Sequence, residues 1–184
     1  YALSASVVLA TSAVFFISSG AVMTDPALML GTTLSMVAFY RAMNQTPSSH
    51  RVWGYLFFVG LAISMLAKGP VGLVLTFVPI GGWVLLQGCW SETWQRLPWI
   101  KGILLAVALS LPWYLLAEKQ TPGFLEYFLV GEHWKRFVDA GWEGDLYGRA
   151  HSRPRGTIWF YWLASALPWS LIAIGYILSP GWRR

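Results

Sequence analysis

MLAKGPVGLVLTFVPIGGWVLLQG, residues 65 to 88, decides what kind of fold this chain adopts. One cation, Lys68, stands in the Lys68-Gly69-Pro70 turn, and no charged residue occurs from Val71 to Gly88. An uncharged run entered through such a turn reads as a membrane span, since about 20 apolar residues cross a bilayer as a helix. In lipid every backbone N–H and C=O has to be paired, and a helix is the open-chain way to do it. Pro79 and Gly81-Gly82 are expected to bend this span.

Five further apolar segments flank it: 1–22, 26–40 and 52–67 before, 102–117 and 157–178 after. Several fall short of a full crossing, but aromatic flanks such as Tyr40 and Trp53 extend them into the interface. Pro168 is expected to bend the last. The expectation is an all-α membrane protein with about six transmembrane helices. Composition agrees: of 184 residues 56% are hydrophobic and 11% charged, against about 45–50% and about 25% in a soluble domain. The net charge of +5 lies between spans, so no nucleic-acid partner is expected. The single cysteine, Cys89, excludes an internal disulfide and a cysteine metal cluster. Tyr1 lies inside an apolar run and Arg183-Arg184 end a segment abruptly, so a fragment of a longer chain is expected.

The short connections set an orientation. Residues 41–51 hold Arg41 and Arg51 and no acid, residues 89–101 hold Arg96 and Lys101 against Glu92, and the tail holds Arg183 and Arg184. Alternation puts these three on one side, with six basic residues to one acidic, the excess that marks the cytoplasmic face. The opposite face then receives the Met23-Thr24-Asp25-Pro26 turn, the Lys68-Gly69-Pro70 turn and one long external loop, about 118–156, expected to contain short helices. That loop has six basic and six acidic residues, the balance of a folded, salt-bridged segment. The unusual polar groups therefore converge on the extracytoplasmic face.

Three places on that face carry candidate chemistry, the third in two stretches of the long loop. Asp25 is the only acid before Glu92, and Thr24-Asp25-Pro26 also reads as a helix start with proline at the first helical position. Capping alone accounts for it; an ionisable group at the membrane edge also reads as functional. Lys68 has no acid near it in sequence, and snorkelling into the headgroups is the plain reading. The sharper reading is a point charge for a lipid phosphate, presented by the Gly69-Pro70 turn. In Glu132-His133-Trp134-Lys135-Arg136-Phe137 a helix would put His133 and Arg136 on one face. A histidine beside a carboxylate can ligate a divalent metal, yet one His and one Glu are no metal motif by spacing alone. Further on, Tyr147-Gly148-Arg149-Ala150-His151-Ser152-Arg153-Pro154-Arg155-Gly156 is rich in cations, which on an outer face favours a specific anionic ligand over headgroup contact.

Together these residues resemble a family. Thr-Asp-Pro at 24–26, Leu-Ala-Lys-Gly-Pro at 66–70, Leu-Pro-Trp-Tyr at 111–114, Pro-Gly-Phe at 122–124, Glu-His-x-x-Arg-Phe at 132–137 and His-x-x-Pro at 151–154 follow one another in order. The series is similar to the bacterial aminoarabinose transferase branch of the dolichyl-phosphate-mannose protein mannosyltransferase superfamily. The resemblance implies a GT-C type bundle, with residues 1–184 a partial transmembrane glycosyltransferase domain lacking the family's large first external loop and its C-terminal part. It implies a polyprenyl-phosphate-linked sugar as donor, a lipid A-like glycolipid or a protein as acceptor, and a bacterial inner-membrane enzyme whose site faces the periplasm. By that resemblance Asp25 is the catalytic carboxylate, Lys68, Arg136 and Arg149 meet the lipid phosphate, His133 and Glu132 sit near a divalent metal ion, and His151 faces the cavity.

The residues read by themselves are consistent with this. Nothing resembles a Gly-rich nucleotide-binding loop, so a sugar donor would have to reside in the membrane. A transporter or flippase for an anionic polyprenyl lipid is the alternative. Such a protein carries polar residues through the bilayer midplane, often in broken helices. The spans here carry almost none.

Overall fold

A computed structural model describes residues 1–21, 23–44, 50–135, 138 and 154–179. The described residues form helices and no strand. In chain order these are α1 (Ala2–Ala10), α2 (Ala13–Gly20), α3 (Asp25–Asn44), α4 (His50–Lys68), α5 (Pro70–Gln87), α6 (Trp90–Arg96) and α7 (Trp99–Gln120). A π-helix, Glu126–Lys135, follows, then α8 (Thr157–Ser165) and α9 (Trp169–Leu178). The chain divides into two compact units, Tyr1–Pro26 with His151–Arg184, and Ala27–Ala150.

Among the described residues three helices, α4, α5 and α7, are long and apolar enough to cross a membrane, and the bent pairs α1–α2 and α8–α9 raise the number to as many as five. The expected all-α membrane fold is borne out. The expected span at 26–40 falls in α3, which has the length of a span at 20 residues. Asp25, Arg41, Asn44 and three hydroxyl side chains, Thr32, Thr33 and Ser35, keep it less apolar than the other three.

In the unit Ala27–Ala150, α4 is the central and most enclosed span. Its contact with α3 rests on small residues four apart on both helices: Gly31 and Ser35 meet Gly60 and Ser64. A methyl group at Gly60 would come 2.4 Å from the Ser35 hydroxyl, and one at Gly31 would come 2.5 Å from that of Ser64. The backbones therefore approach closely, the usual solution where lipid supplies no hydrophobic drive between helices. The buried Ser35 hydroxyl donates to the Phe57 carbonyl, 3.0 Å away, and ties the two helices together. Beyond this crossing, Phe57 and Phe58 are wholly buried, packed edge to face at 5.0 Å, with Phe39, Leu61, Ala62 and Val84 around them. Leu85 and Leu86 on α5 and Ile100, Leu104 and Leu116 on α7 are exposed, an apolar exterior that suits hydrocarbon and not water.

The unit Tyr1–Pro26 with His151–Arg184 contains both bent pairs. α1 and α2 meet at 66° and α8 and α9 at 105°. Pro168 stands at the second break, as expected from the sequence. The first break has another cause. The Thr11 hydroxyl donates to the Val7 carbonyl at 2.6 Å and the Ser12 hydroxyl to that of Val8 at 2.7 Å, back-bonds that bend helices. The two breaks then satisfy one another. Ala13 N–H donates to the Leu167 carbonyl at 2.9 Å, and the Trp169 indole N–H donates to the Thr11 hydroxyl at 2.8 Å. Pro79, by contrast, lies within an unbroken α5.

Candidate functional site

The turn between α4 and α5 is the most constrained polar feature in the unit Ala27–Ala150. α4 ends at Lys68, and α5 begins at Pro70, whose fixed φ suits a first helical position. Between them Gly69 takes φ 61°, ψ −141°, a backbone region essentially closed to residues with a Cβ. Space forbids a side chain there too: a Cβ on Gly69 would lie 2.6 Å from the Phe128 ring and 3.4 Å from the His133 ring.

What presses on Gly69 is the π-helix. Its seat is aromatic. Phe124 and Phe128 stack at 5.4 Å, Trp113 meets Phe124 edge-on at 5.6 Å, and Phe128 meets His133 at 5.0 Å. The Tyr114 hydroxyl donates to the Met65 carbonyl in the last turn of α4. The approach from α7 is fixed by Glu118, whose two carboxylate oxygens accept the backbone N–H of Gly123 at 2.9 Å and of Leu125 at 2.8 Å.

π-winding pairs residues five apart. The Tyr127 hydroxyl donates to Glu132 and is thereby brought over it. His133 Nδ1 lies 2.6 Å from the Phe128 carbonyl oxygen, and its Nε2 lies 2.9 Å from that of Lys68. Both partners are acceptors only, so a neutral ring donates to one of them and a doubly protonated ring to both. The imidazole thus ties the π-helix to the carbonyl of Lys68 itself.

Of the residues singled out from the sequence, Lys68, Glu132 and His133 are gathered at this turn, with Lys68 half-buried. Asp25, also half-buried, opens α3 directly before Pro26, in the other unit. Arg136, Arg149 and His151 lie outside the described residues.

The fit to a divalent metal is poor as the side chains stand. A metal takes a lone pair from a ring nitrogen, and both nitrogens of His133 face carbonyl oxygens while Glu132 accepts from Tyr127. Among the described residues no three His, Cys, Asp or Glu side chains are grouped to hold an ion. Sequence reasoning gave no role to Tyr114, Glu118, Tyr127 or Phe128. Tyr114 does fall in the Leu-Pro-Trp-Tyr motif, and that was the available signal.

Comparison with known proteins finds matches over most of the chain. The family model described as dolichyl-phosphate-mannose-protein mannosyltransferase matches residues 1–128. A Yersinia enterocolitica protein named undecaprenyl phosphate-alpha-4-amino-4-deoxy-L-arabinose arabinosyl transferase is 33% identical over 99% of this chain and 31% of its own length. Proteins of the same name from Serratia proteamaculans and Edwardsiella ictaluri are each 29% identical, over 87% and 92% of this chain and 27% and 29% of their own lengths. The chain thus spans about three tenths of the length of the curated relatives it matches. No solved structure matches it.

Proposed function

Because the chain belongs to the dolichyl-phosphate-mannose-protein mannosyltransferase family, we propose that the protein of which it forms part is a membrane glycosyltransferase. It moves a sugar from a polyprenyl-phosphate donor to a lipid A-like glycolipid or to a protein. The names of the relatives, which specify an undecaprenyl-phosphate-linked aminoarabinose donor, support this reading. Its place is the bacterial inner membrane as a multi-pass protein. The six-to-one basic excess of the connections 41–51, 89–101 and the tail supports a periplasm-facing site.

One observation carries the proposal: the Lys68-Gly69-Pro70 turn is held rigid at the end of two apolar spans by His133 and Phe128. A lipid-linked donor brings its phosphate to the membrane surface, and a cation fixed there has a ligand within reach. In the transfer, an acceptor hydroxyl oxygen forms a bond to the anomeric carbon while the bond from that carbon to the phosphate oxygen breaks. The bonding electrons leave with the polyprenyl phosphate, and the hydroxyl proton passes to a base. Asp25 is that base, and Lys68, with Arg136 and Arg149, stabilises the departing phosphate. A divalent ion at His133 and Glu132 would require both to release their present partners, and no step passes through it.

The test is reconstitution of the full-length protein in proteoliposomes with a polyprenyl-phosphate-sugar donor. Asp25→Asn and Lys68→Ala should each suppress transfer while the protein stays folded in the membrane. Undiminished transfer by both variants refutes the site. Donor lipid that crosses the membrane with no new glycoside formed refutes the enzyme in favour of a flippase.

A further inference from the structure

We propose that the end of the bundle formed by α5, α6 and α7 holds an acyl chain of an anionic phospholipid, in a cavity of its own. This cavity, about 260 Å³, is walled by Phe57, Phe77, Ile80, Gly81, Trp94 and Trp99 among others. It draws on the C-terminal half of α5, whereas Lys68 precedes that helix's first residue. A helix of 18 residues is about 27 Å long, so the cavity and the Lys68 turn lie at opposite ends of the span.

The shape and chemistry of the cavity select the occupant. A dry apolar cavity of about 150 Å³ takes a benzene-sized guest and excludes water. This one, larger and equally apolar, has room for a stretch of hydrocarbon chain. One wall residue, Trp99, also carries a buried indole Nε1–H with no hydrogen-bond partner among the described residues. The hydroxyl of Thr93, also in the wall, is already committed to the Cys89 carbonyl at 3.0 Å. Burying an orphaned donor of that kind is unfavourable, and the ester carbonyl of an acyl lipid supplies the acceptor it lacks. A polyprenyl chain has no ester to offer.

Charge selects the headgroup. Arg41, Arg51, Arg96 and Lys101 occupy the helix ends on this side of the unit, against the one acid Glu92. Glu92 pairs with Arg96 at 2.8 Å, so the surroundings remain cationic and attract an anionic headgroup. The exposed indoles of Trp90 and Trp94 on α6 belong at the height of the headgroups. Both requirements, a hydrocarbon tail with an ester and a negative headgroup, meet in one molecule.

Phosphatidylglycerol carrying a photoreactive diazirine in one acyl chain provides the test. The full-length protein in nanodiscs is cross-linked with it, and the labelled peptides are mapped by mass spectrometry. Labelling should concentrate in residues 77–99. Gly81 lies in the cavity wall and a Cβ there meets no atom within 4 Å, so Gly81→Leu adds bulk at the wall and should remove most of the label. Trp99→Phe keeps the ring and deletes the donor, and should weaken labelling about threefold, the worth of one hydrogen bond. A phosphatidylcholine probe should label more weakly. Label that persists in both variants, that spreads evenly over the lipid-facing helices, or that is equal for the two headgroups overturns the proposal. Displacement of the probe by an equimolar polyprenyl phosphate overturns it as well. If Gly81→Leu fails to fold, Trp99→Phe and the headgroup comparison decide.

Discussion

His133 holds Lys68 by its main chain: the imidazole Nε2 lies 2.9 Å from the Lys68 carbonyl oxygen, across 65 positions of sequence. The same ring reaches the Phe128 carbonyl with its other nitrogen. A lysine side chain is flexible, so its usefulness to a phosphate depends on how firmly its backbone is placed. Here the backbone is fixed from three directions, by His133, by the Phe128 ring on Gly69 and by Tyr114 on Met65.

Replacing His133 tests that anchoring. His133→Ala removes the imidazole and the hydrogen bond that a neutral ring donates to the Lys68 or the Phe128 carbonyl, worth about 0.5–1.5 kcal/mol net. Transfer should fall by up to about tenfold, the rate equivalent of about 1.4 kcal/mol. His133→Gln retains one donor and should recover part of the loss. Initial rates of sugar transfer in proteoliposomes, with folding checked by thermal unfolding, separate the two.

Gly69→Ala should be worse tolerated than any change at the neighbouring Ala67. The backbone region of Gly69 costs a residue with a Cβ about 1–3 kcal/mol, and the added methyl would lie 2.6 Å from the Phe128 ring. The measurement is the midpoint of thermal unfolding in detergent together with transfer activity. A normal midpoint with full activity would show that the turn is not rigid.

At position 68 the charge and its form are separable. If Lys68 meets the phosphate as proposed, Lys68→Ala should raise KM for the lipid donor and lower kcat, because a cation is lost from both the bound and the departing phosphate. Lys68→Arg keeps the charge and should retain part of the activity. Asp25→Asn, by contrast, should act mainly on kcat, by a factor of about 10²–10⁴, the range of general acid–base contributions. Donor-concentration series on the three variants give both parameters.

The crossing of α3 and α4 admits no added bulk. Gly60→Val places methyl groups where the Ser35 hydroxyl and the Gly31 carbonyl now stand. Overpacking of this kind costs about 1–3 kcal/mol, so the unfolding midpoint should drop clearly, while Gly81→Val on the open side of α5 should leave it almost unchanged.

Much of this architecture was legible in the sequence because lipid imposes a coarse rule. Uncharged runs between charged connections marked α4, α5 and α7, and Pro168 marked a break. The break at Thr11-Ser12 was hidden, since those residues sit in helices elsewhere, and only their back-bonds to Val7 and Val8 show the bend. The winding of 126–135 was equally hidden. His133 and Arg136 invite an α-helical reading at a spacing of three, whereas Tyr127 with Glu132 and Phe128 with His133 pair at five. Lys68, Glu132 and His133, which meet at one turn, drew notice because polar groups in an oily chain stand out. Glu118 and Tyr114 were passed over because their work is done on backbone atoms, which no residue pattern announces. The apolar cavity was invisible for a related reason: a gap between side chains leaves no mark on the order of residues.

The mutual bonding of the two broken segments, Ala13 to Leu167 and Trp169 to Thr11, bears on biogenesis. As the ribosome feeds this chain to the insertion machinery, the bend at Thr11-Ser12 enters the bilayer with a backbone donor whose acceptor has yet to be synthesised. Hydrocarbon offers no substitute. The earlier of the two bent segments therefore stays provisional, sheltered by the insertion apparatus or by residual water, until more than a hundred and fifty residues later its counterpart arrives. The two bent segments complete one another's hydrogen bonding only after both have emerged.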